Sequence, residues 1–122
     1  MAKKILIIDD DREVTNVILA QLVARGFHVE LANDGKSGFE KARKFQPDVI
    51  LLDIMMPGWS GLETANDLKT NPGTSDIPII FITGMPGESP TLKSLTTGNH
   101  YVLIKPFMAD QLLSILSNNL GM

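Results

Sequence analysis

The 122 residues, 43% apolar and 20% charged, suit one compact domain with a single core and leave no room in this sequence for a fused effector domain. Eleven basic residues against fourteen acidic ones give a net charge of −3, so no cationic surplus is available to displace counterions from DNA or RNA, and direct nucleic-acid binding is not expected. The absence of cysteine removes disulfides, thiolate nucleophiles and Cys-ligated zinc, while the first apolar run, 5–8, is too short for a signal-peptide core or a membrane span, so a cytoplasmic setting without membrane contact is expected.

Apolar residues gather in five short runs, at 5–8, 27–31, 49–52, 77–82 and 101–104. The runs at 5–8, 49–52 and 77–82 lack polar alternation, which predicts central strands covered by helices on both faces. The run at 27–31 alternates. Between the first two runs, Val14, Val17, Ile18 and Leu22 predict an apolar helical stripe, and Gly26 is placed to end that helix. Further helices are predicted near 36–45 (Phe39, Ala42), 61–70 (Leu62, Ala65, Leu68) and 108–119 (Leu112, Ile115, Leu116). Residues 84–98 are rich in Gly, Pro, Ser and Thr, and Ser89-Pro90 predicts the start of one short helix. Strand and helix alternate five times, which predicts an α/β fold: a doubly wound parallel sheet with helices on both faces.

Sheets of this kind place their sites beyond the carboxyl ends of the strands. There the sequence sets Asp9-Asp10-Asp11 after the first run, Asp53 after the third, Thr83 after the fourth and Lys105-Pro106 after the fifth. The excess of three acidic charges equals the first cluster alone. If adjacent strands bring these groups together, two carboxylates about 4 Å apart repel by roughly 4 kcal/mol at an effective dielectric near 20. A divalent cation relieves that repulsion. Carboxylates without His or Cys favour a hard ion, and Mg²⁺ takes one or two carboxylates while keeping positions for water and phosphate. A carboxylate also attacks phosphorus to form an aspartyl-phosphate. Asp53, alone at the end of a central strand, is the best nucleophile. Asp9 and Asp10 suit the metal, and Asp11 suits the cap of the first helix. Thr83 and the Lys105 ammonium are placed to contact phosphoryl oxygens.

These segments resemble a response regulator receiver domain: KILIIDDD, PDVILLDIMMPGWSGLE, IPIIFITG and LIKPF occur in order and at the family's spacing over essentially the whole chain, residues 1–122. The resemblance implies a five-stranded flavodoxin-like sheet of order 2-1-3-4-5. It implies Asp53 as phosphoacceptor, Asp10 as a direct Mg²⁺ ligand, Asp9 as a ligand through water and Met55 as a ligand through its backbone carbonyl. Thr83 and Lys105 would contact the phosphoryl group. The implied partners are a sensor histidine kinase or histidine phosphotransfer protein and a downstream protein of unknown identity, and the implied role is a signalling switch rather than an enzyme. Two positions depart from the family pattern. Val102 stands where an aromatic usually precedes the lysine by three, with Tyr101 one residue earlier, and Met108 stands where a capping residue often begins the last helix.

Other readings differ in what they require. A Mg²⁺-dependent phosphatase often has a second carboxylate two residues after the nucleophile, where this chain has Met55. A nucleotide- or flavin-binding module needs a Gly- or hydroxyl-rich loop after the first strand, where three aspartates stand. A docking module that no longer uses phosphorylation is compatible with the sequence. Trp59 is either a packed lid or a partner contact; Met55, Met56 and Met85 read as core filler. His28 and His100 read as surface residues without chemistry.

Overall fold

The computed structural model describes residues 2–54, 61–83, 101–104 and 109–120. Nine elements follow one another in these segments: β1 (Lys4–Ile8), α1 (Arg12–Ala24), β2 (His28–Ala32), α2 (Gly35–Phe45), β3 (Val49–Asp53), α3 (Gly61–Thr70), β4 (Ile79–Thr83), β5 (Tyr101–Ile104) and α4 (Ala109–Leu120). All strand pairs are parallel, and the order is β2-β1-β3-β4-β5, as the resemblance implied.

The unbroken apolar runs are explained by a core on each face of the sheet. Leu6, Ile8, Ile50, Leu52, Ile79 and Phe81 point to one side and pack with Ala42 of α2 and with Ala65 and Leu68 of α3. Ile5, Ile7, Val49, Leu51, Ile80 and Ile82 point to the other and pack with Ile18 and Leu22 of α1 and Leu112 and Leu116 of α4. Each fully buried Ile or Leu contributes roughly 1.5–3 kcal/mol relative to exposure. Strand β2 lies at an edge and keeps exposed positions alternating with partly buried ones, which accounts for its mixed sequence.

Local chemistry sets the ends of α1. Asp11 caps it, accepting from the Val14 N–H at 3.2 Å, as the sequence predicted. Gly26, at φ +91°, donates to Val23 O, and Phe27 donates to Leu22 O, so the chain leaves the helix through a left-handed residue. That last bond also removes Phe27 from β2, which starts one residue later than the apolar run. The stripe is rotated from its predicted setting. Thr15, Ile18 and Leu22 are buried, whereas Val17 is 58% exposed. Thr15 tolerates burial because its hydroxyl donates to the Arg12 carbonyl.

Strand β4 begins at Ile79 rather than at Ile77. Pro78 has no N–H for a ladder, and the Ile77 N–H is used by a turn bond to Thr74 O. Helix α2 is capped by Asp34, whose carboxylate accepts from Ser37 N at 2.7 Å, and it ends at Gln46 in a left-handed conformation, φ 52°. Met55, Met56, Trp59, the predicted short helix within 84–98 with Met85, His100, Lys105 and Met108 lie outside the described residues, as does the side chain of Thr83. None of the helices among the described residues is long and apolar enough to cross a membrane.

Candidate functional site

Strands β1 and β3 are neighbours in register, Ile8 beside Leu52, so the residues that follow these two leave the sheet side by side. Asp53 is the last residue of β3, paired with Ile82 of β4, and is 5% exposed. Its position is held from behind: the N–H of the next residue, Ile54, donates to Ile82 O at 3.0 Å. Asp9 directly follows β1 and is 2% exposed; its N–H donates to Ala32 O on β2, and its Oδ1 accepts from the N–H of Asp11. Asp10 is exposed.

One carboxylate oxygen from each of Asp9, Asp10 and Asp53 lies within 4.8 Å of the others. The fold therefore brings together the three acids that the sequence singled out, and sends the fourth, Asp11, to the cap of α1. Two of the three carboxylates are buried, and at such separations like charges repel by several kcal/mol in a medium of effective dielectric near 20. The donor set is all hard oxygen, without imidazole or thiolate, and its compactness matches the small, oxygen-seeking Mg²⁺ ion. These residues fit Mg²⁺.

The remaining predicted groups belong to the same edge by chain position. Thr83 ends β4, one residue beyond the partner of Asp53, and is paired with Ile104 of β5. Lys105 is the next residue in the sequence. Asp9 also borders a cavity of about 450 Å³ between α1 and the β2–α2 connection, lined by Arg12 and Asn16 on one side and Asn33, Ser37 and Lys41 on the other. Sequence reading gave no sign of this cavity, because its walls come from elements with no shared pattern. It also assigned nothing to Gly61, whose N–H donates to Ile54 O at 2.9 Å beside the end of β3. The signal available was a glycine eight residues after Asp53, at the start of a predicted helix.

With this geometry established, known proteins provide the context. MprA of Mycobacterium leprae, a response regulator, is 37% identical over 111 residues, covering 91% of this chain and 48% of that protein. The response regulator PleD of Caulobacter vibrioides is 36% identical over 106 residues, 87% of this chain and 23% of that protein. The chain thus spans between about a quarter and a half of the length of these curated relatives. Among solved structures, the receiver domain of the sensor histidine kinase PA1611 from Pseudomonas aeruginosa superposes with a TM-score of 0.89 at 27% identity over 100% of both chains, and that protein has a magnesium ion coordinated in its active site cleft. The chemotaxis protein CheY4 of Vibrio cholerae gives a TM-score of 0.86 at 30% identity, covering 97% of this chain and 98% of that one. The family model of the response regulator receiver domain matches residues 5–117, and the chain belongs to that family.

Proposed function

We propose that residues 1–122 form the phosphoacceptor domain of a two-component or phosphorelay system, in which Asp53 receives a phosphoryl group from a phosphohistidine and the modified domain changes its affinity for a downstream protein. The observation that carries this reading is the convergence of the Asp9, Asp10 and Asp53 carboxylates within 4.8 Å at the carboxyl edge of a receiver-type sheet. The donor is a sensor histidine kinase or a histidine phosphotransfer protein.

An Asp53 oxygen attacks phosphorus; the new P–O bond forms as the P–N bond of phosphohistidine breaks, and the electron pair leaves with the imidazole. Asp53 and Asp10 would hold Mg²⁺ directly, Asp9 would hold it through water, and Met55 would do so through its backbone carbonyl, as the family resemblance implies. When bound, Mg²⁺ neutralises carboxylate charge and the charge developing on the phosphoryl oxygens. The Lys105 ammonium and the Thr83 hydroxyl would contact the remaining phosphoryl oxygens, as the family resemblance implies. Burial of Asp53 limits water around the nucleophile. Because Thr83 ends the strand paired with β5, drawing its hydroxyl toward a new dianion would carry the change to the β4–β5 edge of the sheet.

Mass spectrometry after incubation with Mg²⁺ and acetyl phosphate tests the assignment. One added phosphoryl group is expected on the wild type and none on Asp53→Asn. An unmodified wild type, under conditions that modify a control receiver, overturns it.

A further inference from the structure

Gly61 begins α3 and is buried, yet its backbone angles are not those that favour glycine: among the described glycines only Gly26 has a positive φ. What Gly61 spares is volume. A Cβ built on it would stand 2.2 Å from the carbonyl oxygen of Asp53, 2.6 Å from Ile54 Cα and 2.9 Å from the Asp53 carbonyl carbon. All three are backbone atoms, so no side chain can swing aside. To reach even 3.0 Å, below which Cβ contacts essentially do not occur, one backbone must move by about 0.8 Å.

Both sides of this contact are anchored. Helix α3 is held by buried Thr64, Ala65 and Leu68, and by the Lys69 ammonium, which donates to Ser75 O and Ile77 O. On the other side, Ile54 N–H is bonded to Ile82 O and Ile54 O accepts from Gly61 N–H. The carbon that carries the Asp53 side chain is joined directly to the carbonyl that a Cβ would strike. Any shift there moves the Asp53 carboxylate relative to Asp9 and Asp10, which belong to a different strand.

We propose that Gly61 is a positioning residue: by lacking a side chain it seats α3 against the backbone of Asp53 and Ile54, and so sets where the Asp53 carboxylate stands in the three-acid cluster. The inference rests on the reading of that cluster as a Mg²⁺ and phosphoacceptor site. Mg²⁺ requires near-ideal octahedral geometry with short metal–oxygen bonds, and displacements of about 1 Å at a reacting group cost on the order of a hundredfold in rate.

The test compares wild type, Gly61→Ala and Gly26→Ala. The third is a control for lost stability: Gly26 has φ +91° and nothing within 4 Å of an added Cβ, so alanine there strains the backbone at the far end of α1 without crowding any neighbour. Calorimetric titration with Mg²⁺ alone should show at least a tenfold weaker affinity for Gly61→Ala, and acetyl phosphate should modify it roughly a hundredfold more slowly. Gly26→Ala should melt lower than wild type yet keep both properties. Gly61→Ala with affinity and rate within twofold of wild type overturns the proposal, as does an equal loss in Gly26→Ala. If Gly61→Ala fails to fold, the Gly61 amide resonance of the wild type decides: movement in step with Mg²⁺ saturation supports the proposal, and a stationary resonance overturns it. A wild type that binds Mg²⁺ but accepts no phosphoryl group, together with weakened Mg²⁺ binding in Gly61→Ala, removes the phosphoacceptor reading and leaves the positioning role standing.

Discussion

The two ends of the sheet handle charge in opposite ways. At the amino edge, each charged side chain is matched by a neutral polar group or a ring. Asp48 accepts from the Lys4 backbone N–H at 2.7 Å, the Lys4 ammonium donates to Phe45 O at 3.0 Å and lies 5.4 Å from the centre of the Phe45 ring, and His28 packs edge-on against the same ring. At the carboxyl edge, three carboxylates are gathered within 4.8 Å. The same strands carry both ends, so their apolar middles, sealed by helices on each face, supply the stability that lets one end hold like charges together. Mutations at the two ends should therefore act with opposite sign on stability.

The sharpest break of that contrast is at the carboxyl edge. Asp10→Asn removes one charge from the cluster, and in EDTA it should stabilise the fold by on the order of 2 kcal/mol, about half the full pair repulsion because Asp10 is exposed. Thermal melts should show a rise of roughly 5–10 °C in EDTA, together with a smaller gain on adding Mg²⁺ than wild type shows. An unchanged or lower melting temperature in EDTA contradicts the account of the carboxyl edge as strained. At the amino edge the sign reverses. Asp48→Ala deletes the acceptor of a charge-assisted bond to a partly buried N–H and should cost about 1.5 kcal/mol, read as a lower urea midpoint. Its Mg²⁺ affinity should equal that of wild type, since the change lies at the other end of the sheet.

The contrast also accounts for what the sequence disclosed. Strands β1 and β3 were legible because burial on both faces demands unbroken apolar runs, and Asp9, Asp10 and Asp53 were legible because adjacent parallel strands carry the groups behind such runs to one edge, although each alone would read as a cap or a turn residue. Asp11 and Gly26 were legible as local signals for the ends of α1, which depend on their own hydrogen bonds and φ angle. Val17 misled because Val14, Val17 and Ile18 are all apolar; which arc of the helix is buried was decided by packing against β1, β3 and α4, and hydrophobicity alone carries no information about that rotation. Ile77 misled in a similar way, extending an apolar run past a proline that cannot join a ladder. Gly61 was marked only by its place at the head of a predicted helix, since the crowding that an added Cβ would meet comes from backbone atoms of another element. Local rules found the elements and the chemistry, while the fits between elements needed the fold.

A third substitution separates the carboxyl edge from a carboxylate that shares its neighbourhood but not its role. Asp34 stands at the head of α2, and its pKa is lowered from the ordinary aspartate value, first by the Ser37 backbone N–H it accepts from and then by the Ser37 hydroxyl. A lowered folded-state pKa means the unfolded chain binds its proton first as pH falls. The stability Asp34 contributes is therefore complete above the unfolded aspartate value of 3.8 and is lost as pH drops through the lower folded value. Because Asp34 is almost fully solvated, the contribution is at the small end for a cap, about 0.5–1 kcal/mol. Asp34→Ala should lose that amount at pH 7, and less in acid. Asp34→Asn should retain most of it and flatten the dependence below about pH 4, because an amide oxygen caps without titrating. Neither should alter the response to Mg²⁺. If Asp34→Ala weakened Mg²⁺ binding as Asp10→Asn is expected to, the acidic edge would extend to α2, and the division between the capping aspartates Asp11 and Asp34 and the proposed metal-holding ones would fail.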